Sequence, residues 1–123
     1  MRALRSAHPR PRTPAARAAA LLDWTSRELI YTPDVKDTET LQSPAATLAI
    51  GGGDCDDLAP LLAALMRSTG QRVRLCASGL RGLSHVFPEV QLEGKWIAAD
   101  PTLVPARLGR RAPHRRFLPT AEV

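Results

Sequence analysis

The stretch SHVFPEVQLEGKWIAAD, Ser84 to Asp100, alternates apolar and polar residues on either side of a Glu93-Gly94 pair. A two-residue connection ending in glycine between alternating runs signals a β-hairpin. If Glu93 and Gly94 form the turn, Leu92 pairs with Lys95 and the numbers of every opposed pair sum to 187. Phe87 then faces Asp100. Because successive side chains point to opposite faces, His85, Phe87, Glu89 and Gln91 share one face with Trp96, Ala98 and Asp100. Val86, Val90, Leu92, Ile97 and Ala99 form the other face, which is apolar enough to be buried. His85 is thereby the diagonal neighbour of Asp100, at a backbone separation of roughly 7–8 Å that their side chains can close. Pro88 lacks the N–H a ladder needs, which predicts an edge strand or a bulge. A slip of one residue would part the pair.

Upstream, RVRLCAS (Arg72 to Ser78) sets Val73, Leu75 and Ala77 against Arg72, Arg74 and Cys76, a third strand. Before it, Leu58, Leu61, Leu62, Leu65 and Met66 fall at the i, i+3, i+4, i+7, i+8 positions of a helix stripe, with Gly70 as its stop. Asp54 is the natural N-cap of this helix and Cys55 its first residue. Pro60 cannot donate to the carbonyl of Asp56, which predicts a kink or an irregular first turn. Thr13-Pro14 and Ser43-Pro44 are two further helix starts. The first opens a helix to about Tyr31 with Ala18, Leu21, Leu22, Thr25 and Leu29 on one face, ended by Thr32 before Pro33. The second opens the short helix PAATLAI, closed by Gly51 in a left-handed conformation. DVKDTETLQ between them reads as a loop. The fold class is therefore α+β, helices followed by an antiparallel sheet.

One domain fits the 123 residues, and its core must rest on Leu, Ala and Val, because aromatics make up only 4%. The net charge of +5 is unevenly spread: residues 1 to 17 hold five Arg and no acid, and residues 107 to 123 hold five Arg against one Glu. Residues 1–13 and 107–123 thus read as basic arms with little structure of their own, flanking a domain at 14–106. Such ends favour solubility and a weak nucleic-acid contact through phosphates. The longest apolar run, AAALL, is far short of the roughly 20 residues of a membrane span, and also too short for a signal peptide. The expectation is a cytoplasmic chain that does not enter a membrane. Pro9, Pro11 and Pro14 spoil the amphipathic helix of a mitochondrial transit peptide. Without a secretion signal, Cys55 and Cys76 are expected as two free thiols.

The run GGGDCDD, Gly51 to Asp57, admits three chemistries. Its glycine amides could cradle phosphate, but three aspartates would repel the anion. Asp54, Asp56 and Asp57 with His85 could ligate a metal, though adjacent aspartates diverge on a helix. Alternatively Cys55 is a nucleophile that loses its proton to His85, while Asp100 orients the imidazole and steadies its charge. A helix N-terminus and a nearby imidazolium both favour the thiolate, and Asp56 and Asp57 oppose it. Free amides at the helix start could receive an oxyanion, and the glycines would let a substrate backbone approach the sulfur. Cys76, without such company, reads as strand packing.

GGGDCDDLAPLLAALMRSTGQRVRL followed by SHVFPEVQLEGKWIAADPT resembles the transglutaminase-like superfamily of papain-like cysteine enzymes. The shared pattern is a G-D-C-x-D helix start, a strand carrying H-V or H-A, a G-x-W turn and a D-P-T end. It covers about Leu21 to Thr102. The resemblance implies a papain-like core in which Cys55 is the nucleophile, His85 the base and Asp100 its orienting partner. The implied activity is acyl transfer from an amide through a thioester, by a peptidase, an amidase or a transglutaminase, with a peptide, protein or glutamine side chain as substrate. The small size and Arg-rich end look most like compact members encoded by tailed bacteriophages and prophages. The calcium loops of the large animal enzymes are missing, so neither a metal nor another cofactor is expected. A non-catalytic phage assembly module that binds peptide or nucleic acid is the alternative.

Overall fold

The computed structural model describes residues 12–32, 42–80, 83–111 and 121–123. Most of the N-terminal arm, all but Gln42 of the loop expected over DVKDTETLQ, and the middle of the C-terminal tail lie outside the described residues. Helix α1 spans Pro14–Glu28, with the Thr13 hydroxyl accepting the Ala16 N–H at 3.1 Å. Its expected stripe of Ala18, Leu21, Leu22, Thr25 and Leu29 is buried. The helix stops three residues short of Tyr31 because the chain is claimed by another partner. Ile30–Tyr31 forms strand β1, parallel to strand β2 at Gly52–Gly53. The N–H groups of Ile30 and Thr32 donate to the carbonyls of Gly51 and Gly53 at 2.9 and 2.8 Å.

Between these strands lies helix α2, Pro44–Ile50, capped by the Ser43 hydroxyl and closed by Gly51 at φ 87°. Helix α3, Cys55–Ser68, begins at the N-cap Asp54 and runs unbroken through Pro60. Its stripe of Leu58, Leu61, Leu62 and Met66 is buried. Gly70 follows its end at φ 85°.

The main sheet holds β3 (Val73–Leu80), β4 (Leu83–Leu92), β5 (Lys95–Ala98) and β6 (Ala121–Glu122) in the order β5-β4-β3-β6, all antiparallel. The hairpin register is the one that a Glu93-Gly94 turn dictates: Leu92 with Lys95, Gln91 with Trp96, Val90 with Ile97, Glu89 with Ala98. Pro88 corrects the sequence reading, since β4 is an interior strand and its register with β3 passes Pro88 without a slip. The Pro88 carbonyl accepts the Ala99 N–H at 2.8 Å. A residue's N and C=O point to the same side of a strand, so the missing donor faces the β5 side just where β5 ends, and the β3 ladder loses nothing.

Val73, Val90 and Ala99 on one face of the sheet join Leu62, Ala63 and Met66 of α3 and Ala18, Leu21 and Leu22 of α1 in the main core. On the opposite face Cys76, Phe87 and Ala98 cluster. The described parts of the tail, residues 107–111 and 121–123, carry more structure than its basic composition predicts. The Gly109 N–H donates to the Ala98 carbonyl at 2.7 Å, Arg111 reaches Glu89 at 2.6 Å, and Glu122 holds Arg72 through bonds of 2.7 and 3.0 Å. These arginines answer specific carboxylates, which net charge conceals. Among the described residues no helix is long and apolar enough to cross a membrane.

Candidate active site

Two elements of unlike geometry bring the predicted residues together. Met66 of α3 and Val90 of β4 lie in one core cluster. From that point Cys55 lies 11 residues back along the helix and His85 five back along the strand. At about 1.5 Å per helical residue and about 3.3 Å per strand residue, both runs cover about 16 Å. Runs of equal length from one core cluster are what lets a helix and a strand bring Cys55 and His85 to a common level. Cys55 is near enough to His85 to help raise the pKa of the ring, second only to Asp100. Cys55 is half-buried and free of any disulfide.

On the other side of the ring, His85 Nε2 and Asp100 Oδ2 are 2.5 Å apart. The His85 side chain is 16% exposed and that of Asp100 fully buried, so water screens their attraction little. The hydrogen bond to Asp100 above all, then the bond to Cys55, pushes the His85 pKa up to about 10, against the lowering effect of burial. A charged imidazolium is therefore the resting form of the ring over the physiological range. With Nε2 held by Asp100, Nδ1 is the nitrogen left to serve the thiol.

Thr102 is a component the sequence reading overlooks. Its backbone N–H and its hydroxyl donate to Asp100 Oδ1 at 3.0 and 2.7 Å, leaving Oδ2 to His85. The Asp-Pro-Thr ending is thus an Asx-type turn that locks the carboxylate rotamer. The signal was present in the local spacing, because Asp readily bonds its own backbone two residues on. Thr102→Val keeps the shape and the N–H but loses the hydroxyl donor. Its expected cost is about 1.5 kcal/mol at pH 7, the value of a hydrogen bond to a charged group, and urea unfolding of the two proteins reads it directly.

Two of the acidic neighbours of Cys55, Asp54 and Asp57, cap the helix. Asp57 is 2% exposed, and its Oδ2 accepts the Asp54 N–H at 3.1 Å, the side chain of the third helical residue reaching back to the cap. Its Oδ1 accepts the Gln42 N–H at 3.2 Å. Both oxygens are engaged by backbone donors, which spread the carboxylate's charge into the start of the helix. Among the described residues no three His, Cys, Asp or Glu side chains form a group that could hold a metal.

The glycines also change meaning. A Cβ on Gly52 would sit 2.2 Å from the Ile30 carbonyl oxygen, and one on Gly53 would sit 2.6 Å from the Asp57 side chain. Both residues are buried. They admit β1 and Asp57, neighbours within the chain, in place of the substrate backbone expected from the sequence. Cys76, 3% exposed, has its pKa pushed up to about 12, chiefly by burial and then by Glu89, as befits a packing residue. A cavity of about 770 Å³ lies at the far end of α3 and β4, lined by Gln71, Arg72, Lys95 and Leu108 among others, and contains none of the three site residues.

The chain is similar to known proteins in sequence pattern and in fold. A family model described as the transglutaminase-like superfamily matches residues 4–101. LapG from Legionella pneumophila superposes with a TM-score of 0.64 at 16% identity, over 80% of this chain and 60% of that one. Its calcium-bound form gives 0.57 at 18%, over 73% and 55%. A candidate cysteine protease from Cytophaga hutchinsonii gives 0.57 at 22%, over 85% and 40%. The chain thus spans 40% to 60% of the length of these structures, which share its fold. No curated protein sequence matches it.

Proposed function

Because the chain belongs to the transglutaminase-like superfamily, we propose that it is a cysteine-dependent acyl-transfer enzyme acting on amide bonds, with Cys55 as nucleophile, His85 as acid and base, and Asp100 as orienter. The observation that carries this reading is the imidazole of His85, bound through Nε2 to Asp100 at 2.5 Å and raised in pKa by Asp100 first and Cys55 second. In the reactive form the proton of Cys55 already rests on the ring as the imidazolium, and the thiolate attacks the amide carbon. The carbonyl electron pair moves to oxygen, where backbone N–H groups at the start of α3 can meet the negative charge. Collapse of the tetrahedral intermediate breaks the C–N bond, and His85 gives its proton to the departing amine. A thioester remains on Cys55. Water or a second amine, deprotonated by His85, then attacks the thioester and releases the thiolate.

Hydrolysis and amine transfer share every step up to the thioester, and water is the default acceptor. A peptide bond, a glutamine side chain and a cell-wall stem peptide are the substrate classes to test. The Arg-rich ends would add a salt-sensitive attraction to nucleic acid. A compact phage or prophage enzyme of this kind would work inside a bacterial host.

Iodoacetamide near pH 6 tests the reading at one atom. Cys55 is expected to be alkylated at least about tenfold faster than an ordinary thiol of pKa near 8.5, and Cys76 to stay inert. His85→Ala should abolish the difference. A Cys55 no faster than glutathione would support the non-catalytic assembly module instead. Glutamine peptides, offered with and without a labelled amine, separate transfer from hydrolysis.

A further inference from the structure

We propose that Phe87 is a positioning residue for His85: its buried ring lies stacked beside the imidazole and fixes the plane in which that ring meets Asp100 and Cys55. This rests on the site described above and adds a residue that touches neither substrate nor sulfur. His85 and Phe87 share a face of β4 at i and i+2. Their ring centroids are 5.9 Å apart with planes 23° from parallel. Phe87 is 3% exposed and is itself held by Cys76, its register partner on β3, and by Ala98 at the end of β5. It therefore cannot swing aside.

The need for a second contact follows from the torsion involved. Rotation of an imidazole about its Cβ–Cγ bond is soft, and the bond to Asp100 at Nε2 holds the ring at one point. A turn about that point would carry Nδ1 away from the thiol. A flat, immobile neighbour blocks the turn, and an aromatic face also favours the protonated ring. Asp100 and Cys55 are the ionisable groups that act on His85. Asp100 follows β5 and Cys55 opens α3. Cys76 lies on β3 beyond the Phe87 ring, with Glu89 held between Arg74 and Arg111 further along.

The test compares Phe87→Leu with Phe87→Tyr. It measures the His85 pKa by NMR titration of the ring protons, assigned with His85→Ala, and the iodoacetamide rate of Cys55 at pH 6. Phe87→Leu is expected to lower the pKa by about half a unit and slow alkylation about two- to fivefold, while Phe87→Tyr preserves both. Should Phe87→Leu fail to fold, Phe87→Met, of similar bulk and equally non-aromatic, takes its place with the same expected shifts. A role in packing alone would lower Tm with the pKa and rate unmoved, and that result overturns the inference. Wild-type Cys55 that is unreactive beside a His85 of raised pKa would instead overturn the catalytic reading, and the effect of Phe87 on His85 would still be measured.

Discussion

Asp100→Asn is expected to lower turnover about 10³- to 10⁴-fold, the scale on which the orienting carboxylate acts in triads of this logic. The amide cannot hold a positive charge, and its NH₂ group facing Nε2 favours the wrong tautomer. The change should also be visible in the pH profile. In the native protein Asp100 and then Cys55 push the His85 pKa up to about 10 from an ordinary 6.5. A group whose pKa is raised on folding stabilises the fold fully below its unfolded value, and that contribution is lost as pH rises through the folded value. The stability gap between native protein and variant should therefore be widest near pH 6 and narrow toward pH 10. The alkaline limb of activity should move down by about two units. Turnover, and unfolding midpoints between pH 6 and 10, measure both. A folded variant with an unmoved alkaline limb would show that Asp100 does not sustain the imidazolium.

Gly52→Ala should be strongly damaging for the addition of a single methyl group. The added carbon would meet the Ile30 carbonyl oxygen at 2.2 Å, and both partners are backbone of the paired strands β1 and β2. One strand has to move, at a cost of about 3 kcal/mol. Gly53 and Asp54 lead directly from Gly52 to Cys55, the proposed nucleophile, so activity is expected to fall further than stability alone explains. Gly51→Ala is the control. Its φ of 87° strains an alanine, but a Cβ there meets nothing within 4 Å, and the cost should be about 1 kcal/mol. Urea unfolding of the two variants discriminates them. Equal losses would mean that the close approach of Ile30 carries no special weight.

The hairpin was legible because its turn and its alternation each set the same register, and that register alone put His85 beside Asp100 before any tertiary contact was considered. Helix α3 was legible for the same reason of agreement between levels: an N-cap, an apolar stripe and a stop glycine. Strands β1, β2 and β6 are two residues each. No period can show in two residues, and the partner of Ile30 is 22 positions away. Their existence depends on tertiary hydrogen bonding. Glu89 escaped notice because alternation places it on the polar face, where a carboxylate is ordinarily solvated. It is 2% exposed, clasped by Arg74 and Arg111, and Arg74 in turn lies 4.5 Å from the Trp96 ring. A sequence window does not contain the residue 22 positions on that completes such a pair. Thr102 and Asp57 show the converse: their bonds are mostly local, but local spacing alone does not say which of several polar neighbours will be chosen.

Helix α3 and strand β4 behave as two rulers with different graduations, laid side by side from a common zero in the core at Met66 and Val90. Cys55 and His85 sit where the two scales first agree. One residue inserted between Cys55 and Met66 would advance the sulfur by about 1.5 Å and swing it about 100° around the helix axis. One inserted between His85 and Val90 would turn the imidazole to the opposite face. Neither error can cancel the other, so the tolerance of this chain for insertions lies beyond those two intervals, at its turns and ends.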